Sequence, residues 1–223
     1  RIDTVGVGYR LTATDTTGGG APHPYTLASS TKFDIRDRVV FTTQPSTSVT
    51  AAVAFPSQPV VAVRAGASNT AVNDQTTSVT LSLKPGTGAT GATLTCDNGL
   101  SRTVVNGVAT FTGCKIDKVS PVSPSNPYVI VASASNLSSA ESTTVAVIPG
   151  AAAKLGFTAQ PTTATSSQAF AIQPIVAVQD LGGNTVTGGA NSNATVTLAI
   201  GTNPATGTLT CTSGLTLAAV AGV

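Results

Sequence analysis

The stretch Gln58-Pro59-Val60-Val61-Ala62-Val63 decides the architecture of this chain, because it returns 115 residues later as Gln173-Pro174-Ile175-Val176-Ala177-Val178. The pentapeptide Phe41-Thr42-Thr43-Gln44-Pro45 returns in the same way as Phe157-Thr158-Ala159-Gln160-Pro161. A long and nearly constant offset indicates tandem copies of a whole domain and is too long for the small units of a solenoid.

The start of the chain follows the same pattern at a different phase. Tyr9-Arg10-Leu11-Thr12-Ala13 resembles Tyr128-Val129-Ile130-Val131-Ala132, and residues 31–35 resemble residues 143–147. The beginning of the chain therefore corresponds to the end of a repeat.

We predict three parts from these matches. The first segment, residues 1–35, is the C-terminal part of one repeat. The complete repeat covers residues 36–150. The last segment, residues 151–223, is the N-terminal part of a further repeat.

Within the complete repeat, the apolar pattern predicts short strands. Val79, Leu81 and Leu83 alternate with hydroxyl residues, which is typical of a half-buried strand. Asn106-Gly107 between two apolar runs predicts a hairpin over residues 102–112 with a type I′ turn. Seven to nine strands in one repeat predict an all-β fold of tandem immunoglobulin-like sandwiches, one complete and two partial. An unrelated β-barrel or jelly roll is the alternative.

Composition narrows the function classes. Charged residues make up 9% of the chain, against about 25% in an average soluble protein, while 38 Thr and 21 Ser supply the polar surface. The net charge of +2 offers no electrostatic basis for binding nucleic acid. With one His, three Cys and nine carboxylates, we expect no enzyme activity, cofactor or metal site. The absence of a long apolar run predicts no membrane span in this segment, and the hydroxyl-rich surface favours an extracellular or cell-surface location.

Three short motifs resemble bacterial Ig-like domains of the intimin/invasin type. They are Val176-Ala177-Val178-Gln179-Asp180-Leu181-Gly182-Gly183-Asn184-Thr185-Val186, Asn106-Gly107-Val108-Ala109-Thr110-Phe111 and Gly8-Tyr9-Arg10-Leu11-Thr12-Ala13. The resemblance implies tandem modules of a bacterial surface protein, usually a stalk that carries an adhesive tip. It implies no catalytic activity.

The cysteines predict one cross-link. Cys96 and Cys114 lie in the same repeat with 17 residues between them, and an extracellular setting favours a disulfide. Such a bond would stabilise the fold by about 3 kcal/mol. Two buried free thiols are the alternative. Thr208-Leu209-Thr210-Cys211 repeats Thr93-Leu94-Thr95-Cys96, so Cys211 is expected to be unpaired within this chain.

Other candidate site residues give weaker indications of function. Asn136 and Asn193 begin N-glycosylation sequons, although such triplets also arise by chance in a chain rich in Ser and Thr. His23, between two prolines, is interpreted as a solvated loop residue. A Ca²⁺ site between modules and a Lys–Asn cross-link at Lys84 or Lys154 lack supporting sequence patterns.

These observations favour a structural segment of an extracellular fibre or cell-surface stalk, built from tandem Ig-like domains joined head-to-tail. The alternatives are an adhesin ligand-binding module and a non-catalytic spacer of a large secreted enzyme. Aromatic residues are 4% of the chain, and Phe41, Phe111, Phe157 and Phe170 are expected to face the core, which argues against an aromatic ligand platform. The expected partners are copies of the chain or adjacent repeats of one longer chain.

The phase of the repeat predicts how partners meet. Neither partial repeat can bury a core alone, because two strands are marginal in water and open sheet edges invite pairing. We expect residues 1–35 to occupy the missing-strand position of a copy of residues 154–223. The contact is either between chains or along one continuous array.

Overall fold

The computed structural model describes residues 6–13, 28–31, 33–35, 37–65, 70–71, 73–121 and 125–223. All regular structure in these residues is β, and they contain no helix. The predicted all-β class is therefore confirmed. Val and Thr are among the residues that are enriched in strands, because they fit a pleated, half-buried surface.

The first segment contributes two short antiparallel strand pairs, in which β1 pairs with β4 and β2 with β3. The strands are β1 (Gly6–Tyr9), β2 (Thr12–Ala13), β3 (Ala28–Ser29) and β4 (Phe33–Ile35). The part of the chain that contains His23 lies outside the described residues.

The complete repeat contains two sheets that face each other. Its strands are β5 (Arg38–Thr43), β6 (Ser48–Thr50), β7 (Val60–Ala65), β8 (Thr70–Ala71), β9 (Ser78–Leu83), β10 (Leu94–Thr95), β11 (Ser101–Thr103), β12 (Val108–Thr110), β13 (Lys115–Ile116), β14 (Ile130–Ser133), β15 (Ala140–Glu141) and β16 (Ala146–Ile148). One sheet has the order β12-β7-β5, with β8 paired to β7, and the other has the order β11-β9-β14-β15. A parallel pair, β6 with β16, and an antiparallel pair, β10 with β13, complete the repeat.

A single core fills the space between these sheets. The alternation predicted for β9 is present, since Val79 and Leu81 are buried while Ser78 and Thr80 are exposed. The strand β7 is central in its sheet and buries three consecutive residues, which explains its continuous apolar sequence. All buried members of the core cluster lie in the complete repeat, and the largest are Tyr128, Phe111, Leu81, Ile116 and Ile130.

At Asn106-Gly107 the predicted turn geometry is correct and the predicted strand pairing is not. Asn106 has φ 50° and Gly107 has φ 74°, the positive values that a type I′ turn requires. The flanking strands nevertheless pair elsewhere, because β11 joins β9 and β12 joins β7. Only the Val105–Val108 bridge closes the turn. The predicted hairpin is thus wrong: the chain crosses from one sheet to the other here, with Val104 buried between them.

The last segment repeats the first strand pairs of the complete repeat. Its strands are β17 (Lys154–Ala159), β18 (Ile175–Gln179), β19 (Thr195–Thr197) and β20 (Thr216–Ala218). Antiparallel pairs join β17 to β18 and β19 to β20, as β5 joins β7 and β9 joins β11. Residues 160–174, which correspond to the region of β6, form no strand.

Candidate functional site at the junction of two repeats

A tight turn follows directly after β18 and faces the complete repeat. The backbone N–H of Asp180 donates to the carbonyl of Asn184 at 2.9 Å, and Gly183 N–H donates back to the carbonyl of Asp180 at 3.1 Å. Gly183 has φ 87°, a left-handed conformation that glycine adopts without steric cost. The turn holds the Asp180 and Asn184 side chains side by side.

The Asp180 carboxylate ties this turn to the linker between the repeats. Its side chain is only 3% exposed. One carboxylate oxygen, Oδ2, accepts a hydrogen bond from Gly150 N–H at 3.0 Å, and Oδ1 accepts one from Asn184 N–H at 2.9 Å. A buried carboxylate needs such partners, since burying an unpaired charge is strongly unfavourable. The linker is therefore fixed to the turn by a charge-assisted hydrogen bond.

The Asn184 amide extends the contact to the body of the complete repeat. Its Nδ2 donates to the carbonyl of Asp117 at 3.0 Å, and its Oδ1 accepts from Val119 N–H at 3.1 Å. The same Nδ2 lies 3.1 Å from both Asp180 carboxylate oxygens. The Asn184 amide thus pairs with one backbone carbonyl and one backbone N–H just after β13, as a neighbouring strand would. We call Asp180, Asn184, Gly150, Asp117 and Val119 the junction clamp.

Close packing explains the glycine between the two clamp side chains. A Cβ on Gly182 would lie 3.1 Å from Asn184 Nδ2, 3.3 Å from Asp180 Oδ1 and 3.6 Å from the Asp117 carbonyl oxygen. The two tighter distances are to the clamp side chains themselves, so a side chain here would crowd Asn184 and Asp180. Glycine at this position leaves room for the Asn184 amide and the Asp180 carboxylate to lie side by side.

Electrostatics at the clamp favour an ionised carboxylate. Burial raises the pKa of Asp180, but hydrogen bonds from the Gly150 and Asn184 backbones, the Asn184 side chain and the Gly182 backbone outweigh burial and hold it below 3.8. The group therefore stays charged at neutral pH and remains a strong acceptor.

Sequence reasoning identified this turn as a family-like motif and did not predict its contact with the complete repeat. The signal that points to the contact is the pairing of an acidic residue with Asn184 across two glycines. Glycines permit close approach, and the polar side chains supply hydrogen bonds at the approach point.

The predicted cysteine cross-link is present. Cys96 and Cys114 form a disulfide with an S–S distance of 2.02 Å, and Cys114 is fully buried. Its backbone N–H donates to Gln58 Oε1 at 2.8 Å, so the bond is held against the strand that begins at Val60. The disulfide links the residue that follows β10 to the residue that precedes β13.

The remaining candidate residues are not members of the clamp, although Lys154 lies beside it. Cys211 is free and half-buried. Asn136 and Asn193 are both exposed, and Asn136 has φ 61° in a turn. Lys84 forms an exposed ion pair with Glu141, and Lys154 Nζ donates to the Leu181 carbonyl at 3.3 Å beside the clamp turn.

The described residues offer neither a candidate metal cluster nor a candidate membrane-spanning helix. They contain no group of three or more His, Cys, Asp or Glu side chains arranged to hold a metal ion. They also contain no helix that is long and apolar enough to cross a bilayer.

Apolar side chains on β17 are far more exposed than their equivalents in the complete repeat. Leu155 is 54% exposed, whereas Val39 at the equivalent position of β5 is 1% exposed. Phe157, which was expected to face a core, is 49% exposed. That expectation is wrong, because no sheet covers this side of β17 among the described residues. We call this surface, formed by β17–β20, the open face.

Comparison with known proteins gives no guide to these features. No family model, curated protein or solved structure matches the chain.

Proposed function

We propose that the chain is a structural segment of an extracellular fibre or cell-surface stalk, built from tandem immunoglobulin-like sandwiches joined head-to-tail. The observation that carries the proposal is the junction clamp. A stalk must hold its modules at a fixed angle, and the clamp ties one repeat to the next with a buried carboxylate and a bridging amide. Modules joined only by a flexible linker move freely by default.

The strand order supports an immunoglobulin-like topology. Strands β5, β7 and β12 form one sheet, and β9, β14 and β15 lie in the other with β11 at its edge. The first strand region also reaches the last strand of the repeat through the parallel β6–β16 pair. Such a sandwich leaves its two ends free for serial connection.

The disulfide and the composition support an extracellular setting. Disulfides persist where the surroundings are oxidising, and Cys96 and Cys114 are bonded. A surface rich in Thr and Ser with 9% charged residues suits such a setting.

Distance measurements between spin labels test the proposal. Labels at the exposed Ser133 and Ser213, introduced as Ser133→Cys and Ser213→Cys in a Cys211→Ser background, report the position of the last segment relative to the complete repeat. We expect a narrow distance distribution for the parent chain and a clearly broader one for Asn184→Ala.

Asn203 offers a matched control, because its amide, like that of Asn184, makes two hydrogen bonds to backbone groups. These bonds, to Gly207 N–H and to the Gly207 carbonyl, both stay within one loop. Asn203→Ala should keep the narrow distribution. A broad distribution in the parent, or equal widths for Asn184→Ala and Asn203→Ala, would contradict the proposal.

A further inference from the structure

We infer that the two junctions of this chain are held in different ways, and that the Asp180 carboxylate is the group that makes a long linker rigid. The first junction joins the first segment to the complete repeat, and the second joins the complete repeat to β17. The inference rests on the proposed function and deepens it, because it states what fixes each module to the next. It pairs an acidic residue at the turn with a long linker, and a neutral residue with a short one.

The linker of the second junction is longer than that of the first by four residues. Ser30 and Ser142 are equivalent positions before the linkers, since each hydroxyl donates to the carbonyl of the next residue, at 2.8 and 2.7 Å. Val39 and Leu155 are equivalent positions after them, since each is the second residue of its strand and faces a valine in the ladder. Val39 is nine residues after Ser30, whereas Leu155 is thirteen residues after Ser142.

The extra residues form a loop between two anchored ends. The Ile148 carbonyl accepts a hydrogen bond from Ala51 N–H at 2.9 Å within the complete repeat. On the other side, Ala153 N–H donates to the Gln179 carbonyl at 2.8 Å, at the end of β18. Residues 149–152 therefore span the gap between a strand of one repeat and a strand of the next.

Asp180 closes this loop onto the following repeat. Its Oδ2 accepts from Gly150 N–H at 3.0 Å. Gly150 also lies between the two modules, since a Cβ built on it would be 3.5 Å from Asp180 Cβ and 3.6 Å from Thr50 Cγ2. Additional linker residues add conformational freedom that must be lost if the junction is to be rigid. A charge-assisted hydrogen bond to a buried carboxylate offsets that loss.

The complete repeat shows the matching change at its own turn. Its ladder places Ala65 at the Asp180 position, because each directly follows the residue opposite the first residue of β5 or β17. The alanine side chain has no oxygen that could accept from a linker N–H. At this junction β4 ends at Ile35 and β5 begins at Arg38, so two residues connect the strands. The carboxylate and the long linker therefore occur together at one junction, and neither occurs at the other.

The asparagine of the clamp does not follow this pattern. Asn184-Thr185 in the last segment corresponds to Asn69-Thr70 in the complete repeat, so the sequence keeps the asparagine in both repeats. What changes with linker length is the acidic residue. A short linker limits the relative movement of two modules by itself, whereas a longer one needs an added contact.

Linker deletion combined with Asp180→Ala tests the inference in the full chain. The spin labels described for the Asn184 test report the junction. Asp180→Ala alone should broaden the distance distribution at least about twofold, because Gly150 N–H loses its acceptor and the modules move more freely. Deleting residues 149–152 in the same variant gives this linker the length found at the first junction. That double variant should recover a width close to that of the parent chain.

Two further chains separate linker length from linker sequence and from the charge. In the Asp180→Ala chain, replacing residues 149–152 by Gly-Ser-Gly-Ser keeps the length and should leave the distribution broad. Deleting residues 149–152 while Asp180 is retained takes the Gly150 partner away from a buried carboxylate. That chain should give a broader distribution than the double variant, because an unpaired buried charge disfavours the closed turn.

Hydrogen exchange at the Val119 amide provides a second readout. Its N–H lies 3.1 Å from Asn184 Oδ1. Exchange there should be at least about tenfold faster in Asp180→Ala than in the parent chain, and it should return close to the parent rate in the double variant. The Val145 amide, which donates to the Tyr128 carbonyl at 2.8 Å, should stay protected in every chain because it lies in the core of the complete repeat.

The outcomes distinguish this inference from the proposed function. A double variant as mobile as Asp180→Ala by either readout, a narrow distribution for Asp180→Ala alone, or recovery with Gly-Ser-Gly-Ser would overturn the inference. Each of these results would leave the comparison of Asn184→Ala with Asn203→Ala unchanged. Equal widths in that comparison would contradict the proposed function, so the two fail separately.

Discussion

The complete repeat and the last segment share their local structure and differ in burial. Gln58 Nε2 donates to the Phe55 carbonyl at 2.7 Å, and Gln173 Nε2 donates to the Phe170 carbonyl at 2.6 Å. The β5–β7 and β17–β18 ladders have the same irregularity near their ends. Even so, exposure at some equivalent apolar positions differs widely, from 1% at Val39 to 54% at Leu155.

This difference separates what neighbouring residues determine from what distant strands supply. The strand β9 has six residues and is paired on both sides, by β11 and β14, whereas β19 has three residues and pairs with β20 alone. Local sequence is enough for turns and first pairings. Ala177 and Val178 of the last segment are buried as their equivalents Ala62 and Val63 are, whereas Leu155 and Phe157 are about half exposed because no further strands cover them among the described residues.

The largest expected effect concerns equivalent core positions. Ile130→Ala should lower the free energy of unfolding of the complete repeat by about 2–5 kcal/mol, because it leaves a cavity in a fully buried site. Leu11→Ala, at the equivalent exposed position, should change it by less than about 0.5 kcal/mol. Denaturant unfolding, followed by circular dichroism at concentrations where the chain is monomeric, measures both. Equal losses would remove the distinction between covered and uncovered hairpins.

Loss of the disulfide should have the second-largest effect on the free energy of unfolding. Replacing both Cys96 and Cys114 by Ala should cost about 3 kcal/mol in the unfolding of the complete repeat, since the bond restricts the unfolded chain. Cys211→Ala removes a free thiol from the equivalent of the Cys96 position and should leave stability almost unchanged. Denaturant unfolding, followed by circular dichroism, measures the stability of both variants. A matching loss for Cys211→Ala would show that the thiol environment matters more than the bond.

A smaller effect is expected at the junction clamp. Asp180→Asn keeps the side-chain size but removes the charge and one of two acceptor oxygens, so Gly150 or Asn184 loses a partner. We expect the last segment to lose about 1–3 kcal/mol of stability. Glu141→Gln, at an exposed carboxylate of the complete repeat, serves as the control variant, and a loss as large as that of Asp180→Asn would contradict the special role of the clamp.

The acid response should separate the two regions. The folded pKa of Asp180 lies below 3.8, so its contribution is present above that pH and is lost as the pH falls through the folded pKa. Hydrogen bonds from Thr77 and Thr76 lower the pKa of Asp74 to about 2, which gives the complete repeat its own loss between about pH 4 and 2. Asp180→Asn should flatten the acid profile of the last segment alone, and Asp74→Asn that of the complete repeat alone. Unfolding curves at several pH values would contradict the assignment if either variant flattened both profiles.

The smallest effect is expected at the ion pair of the complete repeat. Lys84 Nζ lies 2.8 Å from Glu141 Oε2, and both side chains are about half exposed. Glu141→Gln should change unfolding stability by no more than about 0.5 kcal/mol, because water and salt screen such pairs. A loss above 1.5 kcal/mol would show that surface charge, scarce in this chain, matters more than burial.

Much of the fold could be predicted from sequence because the repeat offset identifies equivalent residues. Alternation located β9, and Asn106-Gly107 located a left-handed turn. The predicted pairing of the two strands that flank this turn was wrong, because turn geometry is set locally. The sheet that each strand joins is set by distant residues, since Arg102 lies opposite Val79 and Ala109 opposite Val61.

The candidate site was harder to predict than the fold. The disulfide followed from two cysteines in one repeat. The junction clamp did not, since Asn184 bonds the backbone N–H of Val119 and the carbonyl of Asp117, groups that every residue carries. Exposure of Phe157 was missed for a related reason, because its apolar character indicates a core position without showing whether the covering strands are present.

The parallel β6–β16 pair gives the complete repeat a mechanical property. Ser48 lies beside Ala146 and Thr50 beside Ile148, so strands near the two ends of the repeat run side by side in the same direction. Tension applied through the neighbouring modules pulls such strands in opposite senses along their length. The ladder is then loaded in shear, and its hydrogen bonds must break together instead of one after another. We therefore expect high rupture forces for the complete repeat in single-molecule pulling, as a load-bearing link requires, and unfolding at low force would show that β6 and β16 do not carry the load.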